Sequence, residues 1–515
     1  MSGRTHRVAS RPFPGCRRGR YNAAMQRLAP LLLLLCLPLG CLPEEPGEDE
    51  RSPPSWQDLP ASVAQAFADE AADHEAPGAV LAIRHGEQYY LSGFGSRDPD
   101  GGEAIEGTTL FRIGSITKML TAVAMLQQVD GGLLDLGDSA ADHLPPLDLA
   151  GPGEFDDITL ADLLRHTTGI AEITPIDGGG DDERLHEFTQ NDFPSSSYMM
   201  NRPGEFWNYS NPNYSLAGLV VERTDGRSYV DVMDRDVFAP LGMDRTWLRP
   251  ADVLADGDYA IAYGRGWSAG EPGPMRIDAD AYDDAWSRPA GWAWSSAPDL
   301  VTLGDFLLDG NDDVLPAALH GQMVSPQVAT HAFLDHLDYG YGVMQWHGAR
   351  AGDAWFEVET LEHGGAIPGY AAELITLPEH DMVIATLAST DWALFGATRA
   401  VIFEDLLGLT GTDFPDSQVD PSDFQRYVGT YEDPMNIGSV EVSIGGDGGL
   451  EVDCPSLDQA GLSYHVSLEP VSLDNFTFTV DNYPIQLTFL AEIGGDQGQA
   501  HWFRTRHFVA ERSEP

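Results

Sequence analysis

Phe111-Arg112-Ile113-Gly114-Ser115-Ile116-Thr117-Lys118 runs directly into Met119–Val129, an apolar-rich segment stopped by Gly131-Gly132. The pattern predicts a helix opened at or near Ser115. Lys118, three positions on, then shares a helical face with Ser115, so its amine can approach the serine hydroxyl. A serine hydroxyl is a poor nucleophile until a base takes its proton, and a neutral lysine amine can do that. Against an ordinary lysine value of about 10.4, neutrality near pH 7 costs about 4 kcal/mol, which burial and a neighbouring positive charge can supply. Of the 29 basic residues, Lys118 is the single lysine. A position that keeps Lys in an Arg-using chain points to a need for a removable proton. Ser-x-x-Lys alone is a short string that also arises by chance.

Two further strings bear on the same chemistry. Tyr209-Ser210-Asn211 lies within Trp207-Asn208-Tyr209-Ser210-Asn211-Pro212-Asn213-Tyr214. A tyrosine hydroxyl there can relay protons with Lys118, and the Asn amide offers a donor and an acceptor to an acyl substrate. The plainer reading is a polar turn with a half-buried Tyr. Glu362-His363-Gly364-Gly365-Ala366 precedes an apolar strand expected from Ala371. Its small residues let a strand edge approach a substrate, and a backbone N–H there can stabilise an oxyanion. His363 by itself reads more plainly as a core or turn histidine.

Together the three strings resemble one family, the serine beta-lactamase and penicillin-recognising hydrolases, in the branch of class C beta-lactamases, D-Ala-D-Ala carboxypeptidases and related esterases. The resemblance spans about residues 57–408. It is supported by Ile158-Thr159-Leu160-Ala161-Asp162-Leu163-Leu164-Arg165-His166-Thr167-Thr168-Gly169 and by Trp292-Ala293-Trp294-Ser295-Ser296-Ala297-Pro298-Asp299-Leu300. It implies an α+β fold, an antiparallel sheet flanked by helices with an all-α region, and a serine hydrolase that uses no cofactor or metal. By the same resemblance Ser115 is the acylated nucleophile, Lys118 and Tyr209 the proton-transfer pair, and Asn211 the side chain that orients the substrate amide. His363, Gly364 and Gly365 belong to the substrate-binding strand, the N–H groups of Ser115 and Ala366 form the oxyanion hole, and the His166 string is a structural turn. Class C beta-lactamases carry Lys-Thr-Gly where this chain has His363-Gly364-Gly365. A mostly neutral His is a poorer site for a carboxylate, which favours an esterase or amidase. A D-Ala-D-Ala carboxypeptidase, a D-amino-acid peptidase or a true beta-lactamase are the alternatives. A different class of reading is a non-catalytic lipoprotein that binds peptidoglycan or a partner. Substrates are then small esters or amides, D-amino-acid peptides or β-lactams.

Outward from this core, residues 1–40 hold seven Arg and no acidic residue, while the rest carries 22 basic and 81 acidic residues. The acidic body would repel nucleic acid and anionic lipid. Arg27, the run Leu31–Leu35 and Gly40-Cys41 read as an export signal, too short to span a membrane. Residues 1–41 resemble a bacterial lipoprotein signal with Cys41 as the lipidated residue; plain secretion into the periplasm or medium is the alternative. Residues 42–54 are a Pro-rich acidic tether, so the expected location is the bacterial cell envelope.

The domains expected are a catalytic unit over 55–408, a linker over 409–422 and a small antiparallel β-barrel over 423–512. The barrel's start, Tyr427-Val428-Gly429-Thr430-Tyr431, resembles the lipocalin-like domain appended to many members of the branch. Within the catalytic unit the pattern predicts a helix from Trp56 to Ala72 and a hairpin from Ala79–Ile83 to Tyr89–Leu91. It predicts strands Ala371–Leu377 and Met382–Leu387 and a helix Trp392–Leu407. The stretch from Asp142 to Asp313 reads as short helices and turns with few strands. His320, His331 and His336 lack the spacing of a metal site. Asp177–Glu183 reads as an acidic Gly-rich loop. Trp207, Trp292 and Trp294 either wall a pocket or pack in the core.

Overall fold

Pro60 lacks the N–H that a helix interior needs, and in the computed structural model the first helix starts just after it, running Ala61–Asp73 rather than from Trp56. Trp56–Gln57 instead pairs in parallel with Tyr89-Tyr90. The structure describes residues 54–173, 179–265, 274–332, 336–415, 420–481, 483–491 and 498–513. The expected export signal, Cys41 and nearly all of the acidic tether lie outside the described residues, as does the start of the Asp177–Glu183 loop.

The expected hairpin forms as Gly78–His85 and Gln88–Gly95. Its first strand is buried in seven of eight positions because Met382–Ala388 pairs with its other edge. The full sheet is nine-stranded, in the order Trp56–Gln57, Gln88–Gly95, Gly78–His85, Met382–Ala388, Tyr370–Leu377, Ala354–Ile367, Met344–Ala351, Leu337–Tyr339, Val328–Ala329. One face is covered by Val63, Phe67 and Ala71 of the first helix with Ile402 and Phe403 of the helix Gly396–Asp405. The other packs on Leu300, Leu303 and Leu307 of the helix Ala297–Asp309 and on the large core around Thr117–Asp130 and Asn211–Asp225. The architecture is α+β, a helix-flanked sheet beside a helical region.

Several local expectations are corrected. The middle of the chain holds two long helices, Asn211–Asp225, buried on all sides from Pro212 to Val221 so that no one-sided apolar stripe shows, and Ala297–Asp309, whose buried face does follow a helical stripe. The string Glu362–Ala366 directly precedes the strand Tyr370–Leu377 as expected, but it also lies inside a strand of its own, the 14-residue Ala354–Ile367, masked in the sequence by alternating Glu357 and Glu359 and by the Gly pair. The helix expected from Trp392 begins at Gly396, because Trp392 takes a left-handed backbone and stands 73% exposed. Part of the expected linker is docked: Thr412 exchanges two backbone hydrogen bonds with Trp355, and Phe414 packs on the Trp355 ring.

The C-terminal domain is an eight-stranded antiparallel sheet from Gly429 to Arg512. Val452 donates to the Val466 carbonyl and Leu468 to that of Leu450, which brings its two edges together into a nearly closed barrel. Its core is aromatic, with Tyr427, Tyr431, Phe476, Phe489 and Phe503 in mutual ring contact. Cys454 is a free thiol in that core, pushed up to about 12 by burial. The barrel meets the sheet domain through Trp502 against Phe206 and through the buried Arg504. That guanidinium donates to the carbonyls of Trp207 and Thr330. Among the described residues no helix is long and apolar enough to cross a membrane.

Candidate active site

Two glycines bring the site together. Gly114, at φ +50°, opens the short turn Gly114–Ile116 that feeds the helix Thr117–Asp130, so Ser115 sits at the mouth of that helix. A Cβ on Gly114 would come within 2.6 Å of the Ala366 nitrogen, and one on Gly365 would overlap the Ile113 carbonyl oxygen. Only hydrogen at both positions lets the strand Ala354–Ile367 lie against the serine turn, which brings the Ala366 nitrogen up to Gly114, the residue before Ser115.

Lys118 is fully buried. Its Nζ lies 2.9 Å from Ser115 Oγ, 2.7 Å from Asn211 Oδ1 and 2.5 Å from the Ala290 carbonyl. Two of these partners accept only. A neutral amine has two N–H bonds to spend on Asn211 and Ala290, which turns its lone pair toward the Ser115 hydroxyl. Burial pushes the amine well below its ordinary value; Glu172 pulls it back up and Arg506 lowers it further. The arrangement can therefore take a proton from Ser115.

Tyr209 stacks its face under Lys118, with Nζ 4.8 Å from the ring centre. Burial raises its hydroxyl above the ordinary value, opposed by Arg506 and the Ser115 side chain. The position of Tyr209 is fixed by His166, the left-handed residue that ends the helix Leu160–Arg165. Its carbonyl accepts from the Asn208 N–H at 2.8 Å, its Nδ1 accepts from the Ser210 N–H at 3.2 Å, and its ring lies 4.4 Å from that of Tyr209. Burial first, then the Lys118 charge, hold this imidazole neutral. The turn reading of His166 matches this placement.

His363 turns its ring into the protein. It is buried, its Nδ1 donates to the Gly364 carbonyl at 2.6 Å, and its Nε2 accepts from the Tyr339 hydroxyl at 3.2 Å. Both ring nitrogens are thus engaged within the protein, and Gly364 is the exposed member of the string. Burial, the Lys118 charge second, lowers the imidazole to about 3, so it carries no positive charge at neutral pH. Asn211 is held on both ends of its amide. Its Oδ1 holds Lys118, its Nδ2 donates to Glu172 Oε1 at 3.0 Å and its backbone N–H to Glu172 Oε2 at 2.7 Å, so the amide ties the lysine to a carboxylate.

Glu172 and Arg506 were not anticipated from the sequence. Arg506 sits on the turn between the barrel strands Ala500–Arg504 and Val509–Arg512. Its Nη2 is 3.2 Å from Glu172 Oε2, and its guanidinium covers the Tyr209 ring at 4.6 Å. A signal existed: no Arg or Lys occurs between Tyr427 and Phe503, and then Arg504 and Arg506 fall two apart. Of the tryptophans, Trp294 and Trp292 are core, the first under the Arg112 guanidinium and the second donating to the Tyr282 carbonyl. Trp207 packs beside Tyr209 and Tyr339. Among the described residues no three His, Cys, Asp or Glu side chains converge as a metal site.

A family model described as Beta-lactamase matches residues 63–404. Penicillin-binding protein 4 of Amycolatopsis lactamdurans is 28% identical over 379 residues, covering 70% of this chain and 94% of that protein. The crystal structure of SurE is similar at 25% identity with a TM-score of 0.62, covering 88% of this chain and 98% of that one. A D-stereospecific amidohydrolase from Streptomyces sp. is 25% identical with a TM-score of 0.54, over 68% of this chain and all of the other.

Proposed function

The chain belongs to the beta-lactamase family, and from that premise we propose that it is a serine hydrolase that acts through an acyl-enzyme on Ser115. The observation that carries the reading is the buried Lys118 amine, 2.9 Å from Ser115 Oγ with its other hydrogen-bond directions taken by two carbonyl oxygens. Lys118 takes the Ser115 proton as the oxygen attacks an ester or amide carbonyl. The N–H groups of Ser115 and Ala366 receive the negative oxygen of the tetrahedral intermediate. Tyr209 and Lys118 return the proton to the leaving group, and water releases the acid by the reverse path. Asn211 keeps Lys118 in place rather than reaching out to substrate.

An ester or a simple amide is the favoured substrate class, because His363 supplies no cation where a carboxylate-bearing β-lactam would need one. The second reading is a D-amino-acid amidase or peptidase, and the likeness to the Streptomyces D-stereospecific amidohydrolase favours it. Assay of residues 42–515 against p-nitrophenyl esters, D- and L-amino-acid amides, D-Ala-D-Ala peptides and nitrocefin, with Ser115→Ala as blank, separates these. Ester turnover lost in Ser115→Ala supports the first reading; turnover of D-amides over L-amides, with esters slow, supports the second. Fast nitrocefin hydrolysis makes it a beta-lactamase. No modification of Ser115 by a fluorophosphonate makes it a binding protein. The proposed location is the cell envelope, with a lipid on Cys41; loss of membrane association in Cys41→Ser is the expected result.

A further inference from the structure

The barrel reaches the site at one point. Its turn Thr505–Phe508 is locked by the Thr505 hydroxyl, which accepts from the His507 and Phe508 N–H groups, and by the Thr505 carbonyl, which accepts from Asn208 Nδ2 at 3.3 Å. Arg504, directly before that turn, is pinned to Trp207 and Thr330. The segment so gripped, Trp207-Asn208, leads straight into Tyr209. Arg506 is then delivered to Glu172, whose carboxylate is bonded to Asn211, whose amide oxygen holds Lys118. Arg506 to Glu172, Asn211, Lys118 and Ser115 is one unbroken polar chain from the second domain to the nucleophile.

We propose that Arg506 is a positioning residue of the Ser115 centre: paired with Glu172 it holds the Asn211–Lys118 hydrogen bonds in register and balances the Glu172 charge, so the site is complete only while the barrel is docked. This rests on Lys118 being the base of the proposed reaction. Glu172 has only 6% of its side chain exposed and Arg506 44%, so the pair is a shielded carboxylate answered by a cation at the solvent edge. Unanswered, that carboxylate would draw a proton onto Lys118 and leave no lone pair for Ser115. The direction agrees with the opposing pulls of Glu172 and Arg506 on the lysine. The other groups facing Lys118 are the Tyr209 and Tyr214 rings, together with His166 and His363, both held neutral by burial first. His507 lies within the field of both Glu172 and Arg506 and is lowered, by burial first.

The test is the pH dependence of kcat/KM for a p-nitrophenyl ester, measured on residues 42–515 as wild type, Arg506→Gln, Glu172→Gln and the double variant. Arg506→Gln is expected to move the acid limb up by about half to one pH unit, a shift tempered by the exposure of the pair. Glu172→Gln should move it down, and the double variant should return it toward wild type. Arg506→Lys, which keeps the charge, should restore most of the limb. A uniform loss of rate at every pH in Arg506→Gln, or a double variant no closer to wild type than the singles, overturns the inference. Unchanged turnover in Ser115→Ala would instead overturn the reading beneath it. Melting curves on each variant identify any loss due to unfolding.

Discussion

Lys118 meets three uncharged oxygens in a fully buried place, whereas Arg506 meets a carboxylate and a ring face at the edge of solvent. The first arrangement is geometric: each N–H and lone pair has one assigned partner, and a displaced atom leaves a buried polar group unmet. The second is electrostatic, reaches further and tolerates a changed side chain. Substitutions in the first region should therefore act in an all-or-none manner, and those in the second should be graded and dependent on pH.

The contrast breaks most sharply at Lys118→Arg, which keeps the charge and removes the titratable proton. Acylation should fall by about a thousandfold or more; near wild-type turnover in a stopped-flow assay with a chromogenic ester would remove Lys118 as base. Next comes Gly365→Ala, whose new methyl overlaps the Ile113 carbonyl oxygen and pushes the Ala366 N–H away from Ser115. Acylation should drop about a hundredfold, with far-UV circular dichroism unchanged. The adjacent Gly364→Ala meets only the Ala372 carbonyl oxygen at 4.0 Å, and its loss should be at least tenfold smaller than that of Gly365→Ala.

On the barrel side, Arg504→Met removes the bonds to the Trp207 and Thr330 carbonyls and should cost about 2–3 kcal/mol in a urea titration. A separate early transition of the barrel would sharpen the distinction between the two regions. The smallest effect is expected at Trp392→Ala, within about 0.5 kcal/mol of wild type in the same titration, because the ring is exposed.

The legible parts of the site were those whose chemistry is local. Ser115 and Lys118 are three residues apart, and one turn of helix suffices to bring them together. The order of the strings around Tyr209 and His363 carried the α+β fold and the appended barrel through the resemblance. What stayed hidden depends on contacts between distant segments. Glu172 and Arg506 are separated by more than 300 residues, and neither lies in a recurring pattern. His363 was readable as a core histidine, and its burial bears that out, but the strand that orients it was not, because it alternates Glu with apolar side chains and reads as surface. Pro60 was readable as a helix start; the apolar spacing across Trp56 and Leu59 outweighed it. The helix Asn211–Asp225 was obscured by being buried all round from Pro212 to Val221, where no periodic stripe survives.

The pairing of Gly78–His85 with Met382–Ala388 also has a consequence in time. The early hairpin has one edge that no other strand fills, and its partner lies about 300 residues downstream. At a synthesis rate of about 5–20 residues per second that edge stays open for roughly 15–60 s on a growing chain. For that interval Ala79-Val80-Leu81-Ala82-Ile83 is an apolar strand with one bare edge, a ready template for pairing with a neighbouring chain. Recovery of folded enzyme should therefore depend on how many chains are emerging close together, and slowing expression should raise the soluble yield more than any substitution in the barrel.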